Sequence, residues 1–358
     1  MAAIPILSEV LAALPLPTVG IDMAERIVAL NDAAADLLGD GAMGRHFITV
    51  LRQPALVEAV ELCLADQTPR HARFVAGEVD TETTYDVSLR KIDGTDVLLL
   101  SFQDITQMAQ AGQMRRDFVA NVSHELRTPL TSLMGFIETL GGPARDDAAA
   151  RDRFLGIMAG EAGRMNRLVG DLLSLSRVEA EERVRPTDRV NLTDVLQRTL
   201  RNLNPLAVEN DVTLKPGFGD APLMLLGDAD QLLQVFTNLV ENAIKYGGTG
   251  GSVDITSAVN PRDPALRGRA VRITVRDHGV GIDPIHLPRL TERFYRADSH
   301  RSRALGGTGL GLAIVKHILN RHRGRMKVTS QPGQGAAFTV ILPLDQDAPE
   351  GPTHRLAP

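Results

Sequence analysis

GGTGLGLAIVKHI, Gly306–Ile318, sets Gly307, Gly309 and Gly311 at alternate positions directly before an apolar-periodic helix, with Thr308 and Leu310 between them. Glycines that free backbone amides at a helix start suit a phosphate group. The pattern is G-x-G-x-G, with Leu312 or Ile314 where a Rossmann fingerprint has its last glycine, and no Gly-Lys pair makes it a P-loop. The HRD and DFG signatures of the Ser/Thr/Tyr kinase fold are missing as well. A phosphate site here needs a different α/β scaffold.

The flanking sequence supplies one. It reads as a helix from Leu192, a strand near Leu223 to Leu226, a helix from Asp228 to Tyr246, a strand from Val271 to Val275, a helix ending near His322, and strands around Met326–Val328 and Phe338–Leu342. Asp228 and Gln231 form a capping-box variant at the start of the second helix. Helices and strands sharing one pair of layers make residues 191–345 an α/β sandwich, with a charged linker at 183–190 and a tail at 346–358 expected to be disordered. In the second helix Asn238, Asn242 and Lys245 recur at four and three, so they share a face, while Leu232, Val235, Phe236, Leu239 and Ala243 supply the opposite one. An amide can ligate Mg²⁺ whose other ligands are phosphate oxygens and water, and Lys245 adds a point charge. Asp277 keeps the parity of Val271, Ile273 and Val275, so its carboxylate points inward and needs a partner such as an amino group of adenine. Gly279 and Gly281 would let backbone approach the base. Five arginines fall between Arg289 and Arg303 against Glu292 and Asp298, a run that suits a lid beside a phosphate site.

From about Gln107 to Glu182 the apolar period is helical: Phe118, Val122, Leu126, Leu130, Leu133, Ile137 and Leu140, then Phe154, Met158, Met165, Val169 and Leu172 after the break at Gly141-Gly142-Pro143. Two such helices cannot bury both stripes alone, so residues 108–182 are expected to pair with a second copy as a four-helix bundle in a homodimer. His124 lies two positions from Val122 and from Leu126, a rotation of about 200°, which turns it to water. An exposed imidazole is a competent nucleophile near neutral pH. Glu125 can take or orient its proton, Thr128 lies one turn on, and Pro129 removes a backbone hydrogen bond and should loosen the helix there.

Residues 1–107 read as a small α+β module: strands at Thr18–Asp22 and Ile27–Asn31, a helix at Asn31–Gly39, and strands on either side of the hairpin signal Asp93-Gly94. The N-terminal apolar stretch is interrupted by Glu9 and three prolines, too short to span a bilayer, and no basic run precedes it, which points to a cytoplasmic chain with no membrane span. The 358 residues are 43% hydrophobic and carry a net charge of -5, which excludes a disordered chain and gives no case for direct nucleic-acid binding. The single cysteine, Cys63, excludes an intrachain disulfide. Neither it nor His46 stands in a ligand motif.

The ordered set SHELRTP, TNLVENAIKYG, DHGVGI, ERFYRA and GGTGLGLAIVKHI resembles the H, N, G1, F and G2 boxes of the bacterial sensor histidine kinases. The resemblance covers about Arg115 to Leu344 and implies a dimerisation and phosphoacceptor hairpin followed by a Bergerat-type ATP-binding domain. It implies that ATP phosphorylates His124, with Glu125 assisting, and that the group passes to an aspartate of a response regulator. Asn242 would bind Mg²⁺, Asn238 and Lys245 the phosphates, and Asp277 the adenine. Tyr246, Gly279, Gly281, Thr308 and Leu310 complete the ATP boxes, Phe294 would anchor the lid, and Gly307, Gly309 and Gly311 would form its hinge. Glu125-Leu-Arg-Thr128 resembles the family's E-x-x-T phosphatase pattern, which implies dephosphorylation of the regulator. Residues 1–107 are similar to a PAS domain leaving through Asp104-Ile105-Thr106, a combination most like the phosphate-regulon sensor kinases. In GQGAAF, Gly333–Phe338, alanine stands where many relatives have Ser or Thr. Two other readings are a PAS-dimer scaffold with a nucleotide switch, and an ATPase of the gyrase or chaperone kind. The latter would carry a carboxylate where Asn238 stands.

Overall fold

The computed structural model describes residues 9–77, 82–248, 250–297 and 307–345. The tail at 346–358 expected to be disordered lies outside the described residues, as do Gly306 and, of the arginine-rich run, Asp298, Arg301 and Arg303. The chain divides into two compact units between Ala120 and Asn121.

In the first unit Val19 and Ile21 of β1 (Thr18–Asp22) and Ile27 and Ala29 of β2 (Ile27–Leu30) are fully buried. Asn31 then caps α1 (Asp32–Leu38): its Oδ1 accepts from the amides of Ala34 and Thr18, both at 3.0 Å. Its Nδ2 donates to the carbonyls of Leu11, Leu14 and Leu16, so one buried amide fixes the helix start, the first strand and the segment before it. After α2 (Phe47–Val50) and α3 (Pro54–Asp66) come β3 (Arg70–Ala76), β4 (Thr83–Lys91) and β5 (Val97–Asp104). The strands form one antiparallel sheet in the order β2-β1-β5-β4-β3. The hairpin at Asp93-Gly94 turns where expected, Gly94 taking φ +76°. Phe47, Leu56, Val60, Leu89, Leu98 and Phe102 fill the core, with Cys63 buried among them.

Next, α4 (Thr106–Gly141) begins in the first unit and ends in the second, and α5 (Ala148–Glu181) returns from an Asp147 cap. The break falls at Gly141-Gly142-Pro143. Pro129 does not interrupt α4 as expected; it is buried inside a continuous helix. The hydroxyl of Thr128 donates to the His124 carbonyl and that of Ser132 to the Thr128 carbonyl, so side chains reinforce the turns on both sides of the missing N–H. Phe136 stacks on Phe154 across the hairpin at 5.2 Å between ring centroids. Leu130, Met134, Ile137, Leu155, Val169 and Leu173 remain exposed. Of the charged stretch Glu179–Arg189, Glu179 and Glu181 are helical and Arg189 begins β6 (Arg189–Asn191).

The sandwich comprises α6 (Leu192–Glu209), β7 (Thr213–Gly217), β8 (Met224–Leu226), α7 (Ala229–Tyr246), β9 (Ser252–Asp263), β10 (Gly268–Asp277), α8 (Gly311–Arg321), β11 (Arg325–Ser330) and β12 (Ala336–Pro343). Its main sheet runs β11-β12-β10-β9-β7, antiparallel except for the β7–β9 pair, and β6 pairs with β8. Strands β6, β7 and β9 went unread in the sequence. Along β10, Val271, Ile273, Val275 and Asp277 are buried while Arg272, Thr274 and Arg276 alternate away from them. Among the described residues no helix is long and apolar enough to cross a membrane.

His322, 4% exposed, joins the ends of two helices. Its Nδ1–H donates to the Ile318 carbonyl and its Nε2 accepts from the Asp228 amide at 2.9 Å, an arrangement that needs the neutral ring. Burial lowers its pKa below the ordinary 6.5, so the unfolded chain protonates first. This contribution to stability is complete above about pH 6.5 and is lost as the pH falls below it. Urea unfolding at about pH 7.5 and 5.5 should therefore show a larger loss for the wild type than for His322→Gln, whose amide oxygen accepts the same bond without titrating. Equal losses in the two proteins would remove His322 from the pH response.

Candidate active site

A cavity of about 670 Å³ opens between α7, the end of β10, the start of α8 and α5. Small-molecule sites fall between roughly 300 and 1,000 Å³. The burial of Val235, Phe236, Leu239 and Ala243 turns the other face of α7 outward, and Asn238, Asn242, Lys245 and Tyr246 line the cavity together with Glu241. Asn238 Nδ2 donates to the Gly311 carbonyl at 3.2 Å, pinning the first turn of α8. Lys245 Nζ donates to Glu241 Oε1 at 2.6 Å, so the ammonium already has a counterion.

Asp277 stands at the far end, 4% exposed. Its Oδ1 accepts from the amides of Gly279 at 3.0 Å and Ala336 at 3.2 Å, and burial pushes the carboxyl up from its ordinary range. The donor at Ala336 is its backbone N–H, which any residue but proline supplies. Val280, Ile282, Leu290, Leu312 and Phe338 give the cavity its apolar walls, and Gly281 lines it too. Gly279 lies behind the wall. A Cβ there would sit 2.0 Å from the Tyr246 carbonyl oxygen, so its glycine serves the approach of strand end to helix end.

Phe294 and Gly309 are clamped together by backbone. The Phe294 N–H donates to the Gly309 carbonyl at 2.9 Å, and a Cβ on Gly309 would lie 2.9 Å from the Phe294 Cα. Gly309 takes φ +75° and Phe294 φ +64°, the latter unusual for a bulky side chain. Gly307, Thr308, Gly309 and Gly311 line the cavity; Phe294 does not, and Leu310 is fully buried beneath it.

Sequence reasoning missed the contribution of the hairpin. Arg167, Gly170 and Asp171 of α5 complete the wall, and Thr308 Oγ1 donates to Asp171 Oδ2 at 2.6 Å. Arg296 also lines the cavity, and its guanidinium reaches Glu125 Oε2 at 3.0 Å, where Arg164 of α5 binds at 3.1 Å. His124 beside it is exposed, as its helical position implied. Tyr295 and His286, hydrogen-bonded at 2.7 Å, close one side. Tyr295 and Arg296 stood in the quoted ERFYRA segment, and their pairing there was a usable signal. Among the described residues no group of three His, Cys, Asp or Glu side chains is placed to hold a metal. The amide of Asn242 beside Lys245 instead suits a cation that arrives with phosphate oxygens.

Residues 227–346 match the family described as histidine kinase-, DNA gyrase B-, and HSP90-like ATPase, and residues 114–181 match the His Kinase A (phospho-acceptor) domain. The chain is 44% identical over 243 residues to the phosphate regulon sensor protein PhoR of Pseudomonas aeruginosa, covering 67% of this chain and 53% of that protein. It thus spans about half the length of that relative. It is 34% identical over 347 residues to the sensor-like histidine kinase SenX3 of Mycobacterium tuberculosis, covering 94% of this chain and 81% of SenX3. Its fold is similar to that of the histidine kinase ThkA, solved in complex with the response regulator protein TrrA, at a TM-score of 0.50 and 20% identity over 94% of this chain and 97% of ThkA. Carrying both matched domains in order and sharing its length with SenX3, the chain belongs to the bacterial sensor histidine kinases, ATP-dependent enzymes of two-component signalling.

Proposed function

We propose that this chain takes the γ-phosphoryl group of ATP onto His124 and passes it to an aspartate of a response regulator. The observation that carries this reading is Arg296, which lines the nucleotide cavity and at the same time binds Glu125, the neighbour of His124. Adenine sits at the Asp277 end between the apolar walls, and the phosphates lie toward Asn238, Lys245 and Arg296. Asn242 would hold Mg²⁺, and the ion would supply charge neutralisation at the phosphates. A ring nitrogen of His124 forms the new bond to the γ-phosphorus, the bond to the bridging oxygen breaks, ADP leaves, and Glu125 receives the ring proton. Phosphoryl transfer of this loose kind asks mainly for positioning and neutralised charge. Asn238 carries an amide bonded to Gly311, not a carboxylate to activate water, which supports a kinase over a bulk ATPase.

The exposed apolar residues Leu130, Met134, Ile137, Leu155, Val169 and Leu173 support a homodimer in which two hairpins, residues 108–182, form a four-helix bundle. The sheet order β2-β1-β5-β4-β3, with helices between β2 and β3, supports a PAS-like sensor over residues 1–107. Likeness to PhoR supports phosphate-regulon-type signalling, and the capture of ThkA with a regulator supports a receiver-domain partner. Dependence on ATP and on such a regulator supports a cytoplasmic location for this activity. Dephosphorylation of the regulator is assigned to Thr128, whose hydroxyl would orient a water once it leaves the His124 carbonyl.

With γ-labelled ATP, His124→Gln should abolish self-labelling and leave nucleotide affinity within about twofold of wild type, since the acceptor lies outside the cavity. Labelling that persists would move the acceptor elsewhere. Asn242→Ala should weaken ATP binding about tenfold in Mg²⁺ and much less in EDTA. An equal loss in both would sink the metal assignment. Mixed with phosphorylated regulator and ADP, Thr128→Ala should remove label roughly ten times more slowly than wild type while still autophosphorylating. Unchanged rates would leave Thr128 a structural residue.

A further inference from the structure

Asp171 lies in the last third of α5, outside every motif quoted above, yet it stands in the cavity wall. Thr308 places a single hydroxyl proton on its Oδ2 at 2.6 Å, while the hydroxyl oxygen accepts from the Leu310 amide at 3.3 Å. Both hydrogen-bonding directions of Thr308 are therefore committed, and the proton given to Asp171 is not available to a phosphate oxygen. The carboxylate also feels Glu241, Lys245 and Arg167, which puts it among the charges at the polar end of the cavity; burial is the largest influence and pushes its pKa up.

We propose that Asp171 is a positioning residue that guards the polyphosphate end of the nucleotide cavity: it holds Thr308 and stands near Lys245 in the space the phosphates need, so that nucleotide enters by displacing it. The proposal rests on the nucleotide reading of the cavity given above. A triphosphate and Asp171 are both anions and both acceptors, so they compete for the Thr308 hydroxyl and for Lys245, and they repel each other. Because Asp171 belongs to the hairpin and Thr308 to the sandwich, the competition links arrival of phosphates to release of the sandwich from α5 at this point.

The test is calorimetric titration of the full chain with ATP, ADP and adenosine, in excess Mg²⁺ and again in EDTA, comparing wild type, Asp171→Asn, Asp171→Glu and Asn242→Ala. Removing one screened like charge beside a phosphate group should tighten ATP binding to Asp171→Asn about tenfold, and ADP less, while adenosine affinity stays unchanged. Asp171→Glu, which restores the charge, should show no such gain. Unchanged ATP affinity in Asp171→Asn overturns the proposal. So does an equal gain for adenosine, which would mean mere loosening of the docked hairpin, and so does a weaker, Mg²⁺-dependent affinity, which would make Asp171 a metal ligand. If wild type binds no ATP, or Asn242→Ala binds it like wild type, the reading of the cavity itself fails; that outcome is distinguishable because it does not involve Asp171.

Discussion

Along α5 the carboxylates of Asp171, Glu179, Glu181 and Glu182 meet Thr308, Arg293, Arg321 and His317 of the sandwich, around an apolar strip of Leu168, Leu175 and Val178. Arg293 reaches Glu179 at 2.6 Å, His317 reaches Glu182 at 2.8 Å and Arg321 reaches Glu181 at 3.1 Å. In the proposed reaction every later step depends on this seam, because the sandwich would hold the nucleotide and the hairpin carries His124. Ion pairs that keep part of their surface in water contribute little each, typically about 0–1 kcal/mol, so the seam holds register without welding the parts together. A continuous apolar interface would hold more firmly and, under the proposed transfer, would also hinder a regulator reaching His124 afterwards.

Most of the sandwich was legible because its helices carry amphipathic periods and caps that act locally. Asp228 accepts from the amides of Asp230 and Gln231, as the capping pattern implied, and the period of α7 put Asn238, Asn242 and Lys245 on one face. The parity of Asp277 on β10 held for the same reason: a strand buried on one face leaves no second register. Two strands of the main sheet were not legible. β7 reads TLKPG, with a proline and a glycine in five residues, and it joins the sheet as a parallel edge, where such residues are tolerated. β9 carries Pro261 near its end, and its apolar alternation covers only the half that packs under α7.

The hairpin's share of the site was illegible for a different reason. Arg167 and Asp171 look like ordinary polar positions on a long helix, and what makes them part of a cavity is the packing of α5 against residues far along the chain. Thr308 lies 137 positions from Asp171, and no local pattern encodes that meeting. Conversely, the apolar stripe of α4 was read correctly as a pattern, yet in one chain Leu130 and Ile137 remain exposed.

The cavity lining holds three strong bases, Arg167, Lys245 and Arg296, against four acids, Asp171, Glu241, Asp277 and Asp283. Such a site is not a basic funnel, so long-range attraction does little to draw in a polyanion. Recognition is left to contacts made after arrival, where one counterion is exchanged for another. It also follows that the site discriminates by charge state: free ATP meets a surface with no excess of positive charge, whereas nucleotide already carrying a divalent cation presents only about half the negative charge. Under the proposed Mg²⁺ assignment, the acids in the wall thus favour nucleotide that arrives already carrying the metal.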